Sequence, residues 1–129
     1  METNGFITYK GSALKMKIRT KIENSVLIVK VAGKFNIEEV ARFEDSIAVD
    51  FTKGITAVAV DFTEVEYIDS SALGSLIKLM NKAKNIGVDF ILYNMSQPIM
   101  SIFRLAYLDK FFTITTDVEL AKRFPGISF

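Results

Sequence analysis

Apolar and polar residues change their spacing several times along this chain, and each change marks an element. Met16-Lys-Ile-Arg-Thr-Lys-Ile22 alternates, the period of a strand with one wet face. Glu23-Asn24 reads as a tight hairpin, and Val26-Leu-Ile-Val-Lys-Val-Ala32 returns as a more buried strand. Lysines on the outer face of the first of these strands suit a sheet edge guarded against unwanted pairing. Gly33-Lys34-Phe35 leads to Asn36 with Glu39 three residues on, a capping residue followed by an acidic third helical position. Val40, Phe43 and Ile47 supply the buried stripe of that helix, which runs to about Val49. Phe51 to Gly54 is a loop. Ile55 to Val60 is almost continuously apolar, as expected of a parallel strand covered on both faces, and Asp61 ends it. Phe62 to Ile68 alternates only loosely; its Glu64 and Glu66 read as a solvated acidic loop.

A helical pattern then opens at Asp69-Ser70-Ser71. Leu73, Leu76, Ile77 and Met80 fall at i, i+3, i+4 and i+7, one face of a helix from about Ser71 to Asn85. Lys78, Lys82 and Lys84 suit its C-terminal end, and Asn85-Ile-Gly87 is a stop signal. Val88 to Tyr93 is the next strand. Ser96-Gln-Pro98 starts a helix with the apolar stripe Ile99, Ile102, Phe103 and Ala106. A short last strand falls near Phe111 to Ile114. Thr116-Asp-Val-Glu119 is a capping box for a helix that closes before Pro125. Strands alternate with helices from residue 26 onward, which predicts an α/β fold with right-handed crossovers. The expected architecture is a single domain: a mixed, mostly parallel sheet with an N-terminal antiparallel strand and about four helices. Two readings stand for Met1 to Ala13: a loosely attached arm, or a short edge strand at Gly5 to Tyr9 followed by a turn at Lys10-Gly-Ser12.

The length of 129 residues suits one domain, and a chain that is half hydrophobic can fill one core. A net charge of +1 argues against a nucleic-acid binder, which would be markedly basic. No apolar run approaches the roughly 20 residues that span a bilayer. No export leader is visible either, so the expectation is a cytoplasmic protein with no membrane partner. The chain has no cysteine and no histidine. That removes disulfides, thiol nucleophiles, Ser-His-Asp catalysis and the usual ligands of zinc or copper. A carboxylate-only magnesium or calcium site stays open, although no EF-hand-like loop is present.

The chemistry concentrates at Asp69-Ser70-Ser71. A strand delivers two hydroxyls to a helix start, where partial positive charge favours an anion. That arrangement suits a phosphate on Ser70, with Ser71 as the rival hydroxyl and Asp61 as a residue that could orient it. Without their context these residues read as a helix cap and nothing more. Ser71, Gly74, Ser75, Lys78 and Lys82 recur along the expected solvent face of the helix. Small residues early on that face would let another backbone approach closely.

Tyr67-Ile-Asp-Ser-Ser-Ala-Leu-Gly74 resembles the Asp-Ser-Ser-Gly-leucine-Gly signature of STAS domains, the anti-sigma factor antagonist family. Leu105-Ala-Tyr-Leu-Asp-Lys-Phe-Phe112 and Val118-Glu-Leu-Ala121 resemble the family's C-terminal pattern. The resemblance divides the chain into an N-terminal arm (1–14), a STAS domain (15–124) and a short tail (125–129). It implies a regulator, not an enzyme, that needs no cofactor. Unphosphorylated, such a protein would bind an anti-sigma factor serine/threonine kinase; phosphorylation of Ser70 would end the interaction, and a PP2C-like phosphatase would reset it. Asp69, Ser71, Gly74, Ser75 and Lys78 would form the partner surface. Two positions depart from the family's pattern. Ala72 stands where relatives carry glycine and adds a methyl group near the modification turn, and Asn36 stands where they often carry aspartate. The alternatives are a STAS interaction module in secretion or second-messenger control, a small-ligand binder, and a serine hydrolase. The hydrolase lacks both Gly-x-Ser-x-Gly around Ser70 and any histidine to activate the hydroxyl.

Overall fold

The computed structural model describes residues 5–9, 15–48 and 50–129. The sheet begins with β1 (Ile7–Tyr9), β2 (Lys17–Glu23) and β3 (Val26–Phe35), paired antiparallel. It continues through β4 (Ala57–Ile68), β5 (Asp89–Tyr93) and β6 (Thr113–Thr115), which pair parallel in sequence order. The helices are α1 (Ile37–Ala48), α2 (Ser70–Asn85), α3 (Gln97–Leu105) and α4 (Asp117–Arg123). The mixed sheet with four α-helices is the architecture the alternation predicts. The expected helix end at Val49 and the expected turn at Lys10-Gly-Ser12 lie outside the described residues.

Local chemistry explains the connections. Asn24 and Ser25 join β2 to β3 with φ of 48° and 66°, both left-handed, as a two-residue hairpin turn requires. Ser96 accepts the Ile99 N–H and Thr116 accepts the Glu119 N–H, so both expected caps start their helices. Asn36 accepts the Glu38 N–H at the start of α1. Glu39 does not close the box behind it; its carboxylate turns to Arg42 at 2.6 Å and is buried.

Two strand expectations change. β2 is not an edge, because Ile7–Tyr9 pairs outside it: Ile7 lies opposite Thr20 and Tyr9 opposite Ile18. Asp61 does not end β4. The strand runs on through Glu64 and Glu66 to Ile68, beside β3, with register shifts between Lys30 and Ala32 and between Gly33 and Lys34. Those shifts break the alternation, so Val65 and Ile68 are buried at a spacing of three and the segment looks irregular in sequence. Gly33 sits within them at a φ of +109°, which a side chain would strain.

The larger core lies between the sheet and α1, α2 and α3, and includes Leu27, Val29, Phe35, Phe43, Val58, Phe62, Leu76 and Phe103. The second core, on the other face, gathers Val26, Ile28, Ala59, Ile91 and Tyr93 beneath Phe6, Leu120 and Ile127. The last residues therefore pack on the sheet: Phe129 lies edge-on to the Tyr93 ring at 5.7 Å. The Tyr93 hydroxyl is buried with no hydrogen-bond partner among the described residues. Burial, the charges of Asp61 and Asp117, and the approach of the Asp61 carboxylate, which comes close without the geometry of a hydrogen bond, push its pKa above the usual phenol range.

Candidate functional site

β3 and β4 end side by side, with Lys34 opposite Tyr67 and Phe35 opposite Ile68. Because the strands are parallel and both lead into helices, α1 and α2 start next to each other. Asp69 joins the two starts. Its extended backbone (φ −106°, ψ 179°) makes it the N-cap of α2, and Oδ1 accepts the Ala72 N–H at 2.9 Å. Oδ2 accepts the Ile37 N–H, the first of α1, at 3.0 Å. The Asp69 N–H in turn donates to the Phe35 carbonyl at 3.2 Å. One carboxylate thus satisfies an orphan donor on each helix.

Ser70 follows as the first residue of α2 and is exposed. Its hydroxyl makes no hydrogen bond to any described residue. Ser71 is half-buried. Gly74 is exposed one turn later, and a methyl group there would meet nothing within 4 Å. The exposed end of this region also carries two apolar side chains that periodicity did not single out. Ile37, tied to Asp69 through its N–H, is 68% exposed, and Tyr67, three residues before Ser70, is 48% exposed. The available signal was an isoleucine placed directly after the Asn36 cap, off the Val40-Phe43-Ile47 stripe.

Other expected members of the site stand elsewhere. Ser75 is not on the solvent face: it is 4% exposed and its hydroxyl donates to Glu44 Oε2 at 2.7 Å. The inward side of α2 is Ala72, Ser75, Leu76, Leu79 and Ala83, while Leu73, Ile77 and Met80 pack at its margin. Lys78 is exposed but its ammonium meets Glu44 Oε1 at 2.6 Å. Burial raises the Glu44 pKa, but the hydrogen bonds from Lys78 and Ser75 and the charges of Lys78 and Lys82 outweigh it and hold the carboxyl below the ordinary glutamate value. The Ala72 methyl is fully buried in the core, so it does not crowd the surface around Ser70. Asp61 is not at the site. It lies mid-strand against Lys30 at 3.5 Å and accepts the Thr63 N–H at 2.9 Å. The strand between it and Asp69 spans on the order of 20 Å, too far to orient a serine hydroxyl.

Among the described residues, no three or more acidic side chains converge to hold a metal ion. No described helix is long and apolar enough to cross a membrane.

An α/β domain with a mixed sheet that presents a free serine hydroxyl at a capped helix start is a recognisable class, and comparison with known proteins places it. The STAS domain family model matches residues 17–121, and the chain belongs to that family. A Thermotoga neapolitana protein named "Putative anti-sigma factor antagonist TM1081 homolog" is 25% identical over 102 residues, which cover 78% of this chain and 90% of the relative. The unphosphorylated form of the anti-sigma factor antagonist SpoIIAA superposes with a TM-score of 0.72 at 18% identity, over 87% of this chain and 99% of that one. The phosphorylated form of SpoIIAA, a Bacillus cell fate determinant, superposes with a TM-score of 0.65 at 18% identity, over 82% and 97%.

Proposed function

We propose that this protein is an anti-sigma factor antagonist whose partner is switched by phosphorylation of Ser70. In this reading the unphosphorylated protein binds an anti-sigma factor that is itself a serine/threonine kinase and acts in the cytoplasm. Transfer of a phosphoryl group to the Ser70 hydroxyl ends the binding, and a PP2C-like phosphatase restores it. The observation that carries this reading is the placement of Ser70: an exposed hydroxyl with no hydrogen bond to any described residue, one residue past a cap that holds two helices together. Ser71 is less accessible, which favours Ser70 between the two.

The surroundings suggest how a phosphate would act. A phosphoserine carries about −1.5 to −2 charges near neutral pH. At the first residue of α2 it meets backbone N–H groups and a favourable helix dipole, so the fold tolerates it. Ile37 and Tyr67 beside it are apolar, and a partner that seals over them must strip water from whatever stands between. A hydroxyl loses little in that transfer; a dianion with no counter-cation loses far more than an interface returns. Phosphorylation would therefore exclude the partner without refolding the domain. Asp69, Ser71 and Gly74 lie at the same helix start and belong to this surface; Lys78, two turns on, would meet the partner's periphery.

The same residues argue against a serine hydrolase. The chain has no histidine, and both Asp69 oxygens are occupied by backbone donors. The Lys78 ammonium is held by Glu44. We infer no catalytic role and no bound cofactor for the domain.

The test uses the purified kinase partner. Incubation with that kinase and ATP should raise the intact mass by one phosphate in the wild type and in Ser71→Ala, and not in Ser70→Ala. Ser70→Ala should still capture the kinase, and Ser70→Asp should capture it poorly. Equal capture by Ser70→Asp and wild type would refute the exclusion mechanism. Capture by a partner from a secretion or second-messenger pathway, with the same dependence on Ser70, would move the protein to another branch of the family.

A further inference from the structure

The strand order follows the chain, so successive crossovers carry α1, α2 and α3 onto one face of the sheet. On the other face, among the described residues, Phe6, α4 and the last residues cover Val26, Ile28, Ala59, Ile91 and Tyr93, and the Ser128 N–H reaches Glu23 at the end of β2. Beyond that cover, over β2, β3 and the long end of β4, lies an open groove of about 840 Å³. Lys15, Lys17, Arg19, Lys30 and Lys34 line it on one side, and Glu64 and Glu66 on the other. Ala32 and Gly33 leave its floor without bulky side chains.

The cations are not arranged for the stability of the fold. Arg19 stands directly opposite Lys30 across the β2–β3 pair, a like-charge placement that destabilises a sheet. Part of the repulsion is absorbed locally. Lys30 reaches Asp61 at 3.5 Å, and the Phe6 ring lies 5.3 Å from the Arg19 guanidinium and 5.5 Å from the Lys30 ammonium. Lys15, Lys17 and Lys34 have no such relief: they are exposed and make no ion pair with any described residue. A chain of net charge +1 therefore concentrates unneutralised positive charge in one concave place.

We propose that this groove docks an acidic segment of a protein partner. The charge pattern identifies the occupant. Lys17 and Arg19 project from one face of β2, so their charges repeat at roughly 6.6–6.8 Å, the spacing of alternate side chains in an extended chain. Carboxylates at alternate positions of a peptide match that repeat. The Glu64 and Glu66 wall repels a nucleic acid duplex, whose phosphates would run along both sides of the groove, and titration distinguishes single-stranded DNA and ATP. A polypeptide can turn N–H groups or its own cations towards that wall. The low floor at Ala32 and Gly33 lets a backbone lie close to the sheet. Ser70 does not line the groove, which adjoins the Ser70 surface where Lys34 lies opposite Tyr67, so the groove gives a partner a second, neighbouring point of attachment that needs no phosphorylation.

The experiment is an NMR titration of the full chain with a ten-residue peptide carrying glutamate at alternate positions. The same peptide with lysine for glutamate, a single-stranded ten-nucleotide DNA and ATP serve as rivals. The glutamate peptide should produce saturable shifts at residues 17–19 and 30–34, weakened roughly tenfold by raising salt from low to high ionic strength. Reversing charge with Lys17→Glu and Lys34→Glu together should weaken binding tenfold or more. The milder Lys17→Gln, Lys34→Gln pair, which removes the charge and keeps a polar side chain only slightly shorter, should weaken it about threefold and serves if the reversal disturbs folding. Ser70→Asp should leave the affinity unchanged, which separates this site from the proposed switch. No saturable shift in the groove, equal or tighter binding of the DNA or ATP, or indifference to the lysine substitutions would overturn the proposal.

Discussion

The Asp69 carboxylate accepts the backbone N–H of Ile37 at 3.0 Å, across 32 residues of chain, while its other oxygen caps α2. A capping residue normally serves its own helix; this one serves two. Asp69→Ala leaves the N–H groups of Ile37 and Ala72 without acceptors and should cost about 1–3 kcal/mol, read as a lower urea midpoint. Asp69→Asn keeps one acceptor oxygen and should lose roughly half as much. A loss no larger than that of an ordinary surface substitution would mean that the shared cap is not holding the helix starts together.

Ile37 and Tyr67 are exposed apolar side chains beside Ser70, and the fold does not need them. Ile37→Asp and Tyr67→Ala should each change stability by no more than about 0.5 kcal/mol, as surface substitutions do. Their effect should fall on capture of the unphosphorylated protein's partner, weakened about tenfold or more if they are anchors of the interface. Retained affinity in both variants would place the docking surface elsewhere.

Glu44 ties α1 to α2 through Ser75 and Lys78, and its folded pKa lies below the ordinary glutamate value. The sign follows directly. The stability this carboxylate contributes is complete above the unfolded-state pKa and is lost as the pH falls through the lowered folded value. Wild-type stability should therefore decline on acidification from about pH 5 to pH 3. Glu44→Gln should be less stable at neutral pH and show a flatter decline over that range. Parallel curves for the two proteins would show that Glu44 does not contribute to the acid limb.

Tyr93 buries a hydroxyl that has no hydrogen-bond partner among the described residues. Tyr93→Phe removes the stranded polar group and keeps the ring against Phe129. Thermal unfolding should show unchanged or greater stability, by up to about 1 kcal/mol. In an ultraviolet titration of the native protein, Tyr93 should stay protonated above the usual phenol range. A clear destabilisation by Tyr93→Phe would point to a hydrogen bond from the hydroxyl, with the Asp61 carboxylate as the nearest candidate.

Where one interaction rules a segment, the sequence shows it. The caps Ser96 and Thr116 depend on a few adjacent residues and stand where their patterns predict, and the hairpin falls one residue later than expected, at Asn24-Ser25, because Glu23 still pairs with Val26. Ser70 at a helix start was legible for the same reason. The misread positions depend on partners far along the chain. Ser75 looks like a surface residue until Glu44 arrives from α1. The end of β4 looks like a loop because β3 imposes two register shifts on it. The groove brings Lys17, Lys34 and Glu64 together only through strand register, and no local pattern announces that meeting.

Each strand of the sheet pairs with the one made just before it. During synthesis from the N-terminus, every new strand finds its docking edge already present, and no slot must be held open for a later segment. Loop closures stay short, so the entropic toll of assembling a parallel sheet is paid in small instalments rather than at once. A growing chain of this design meets each strand's pairing edge in the order of synthesis, and the segment that carries Ser70 is made before β5, β6 and α4.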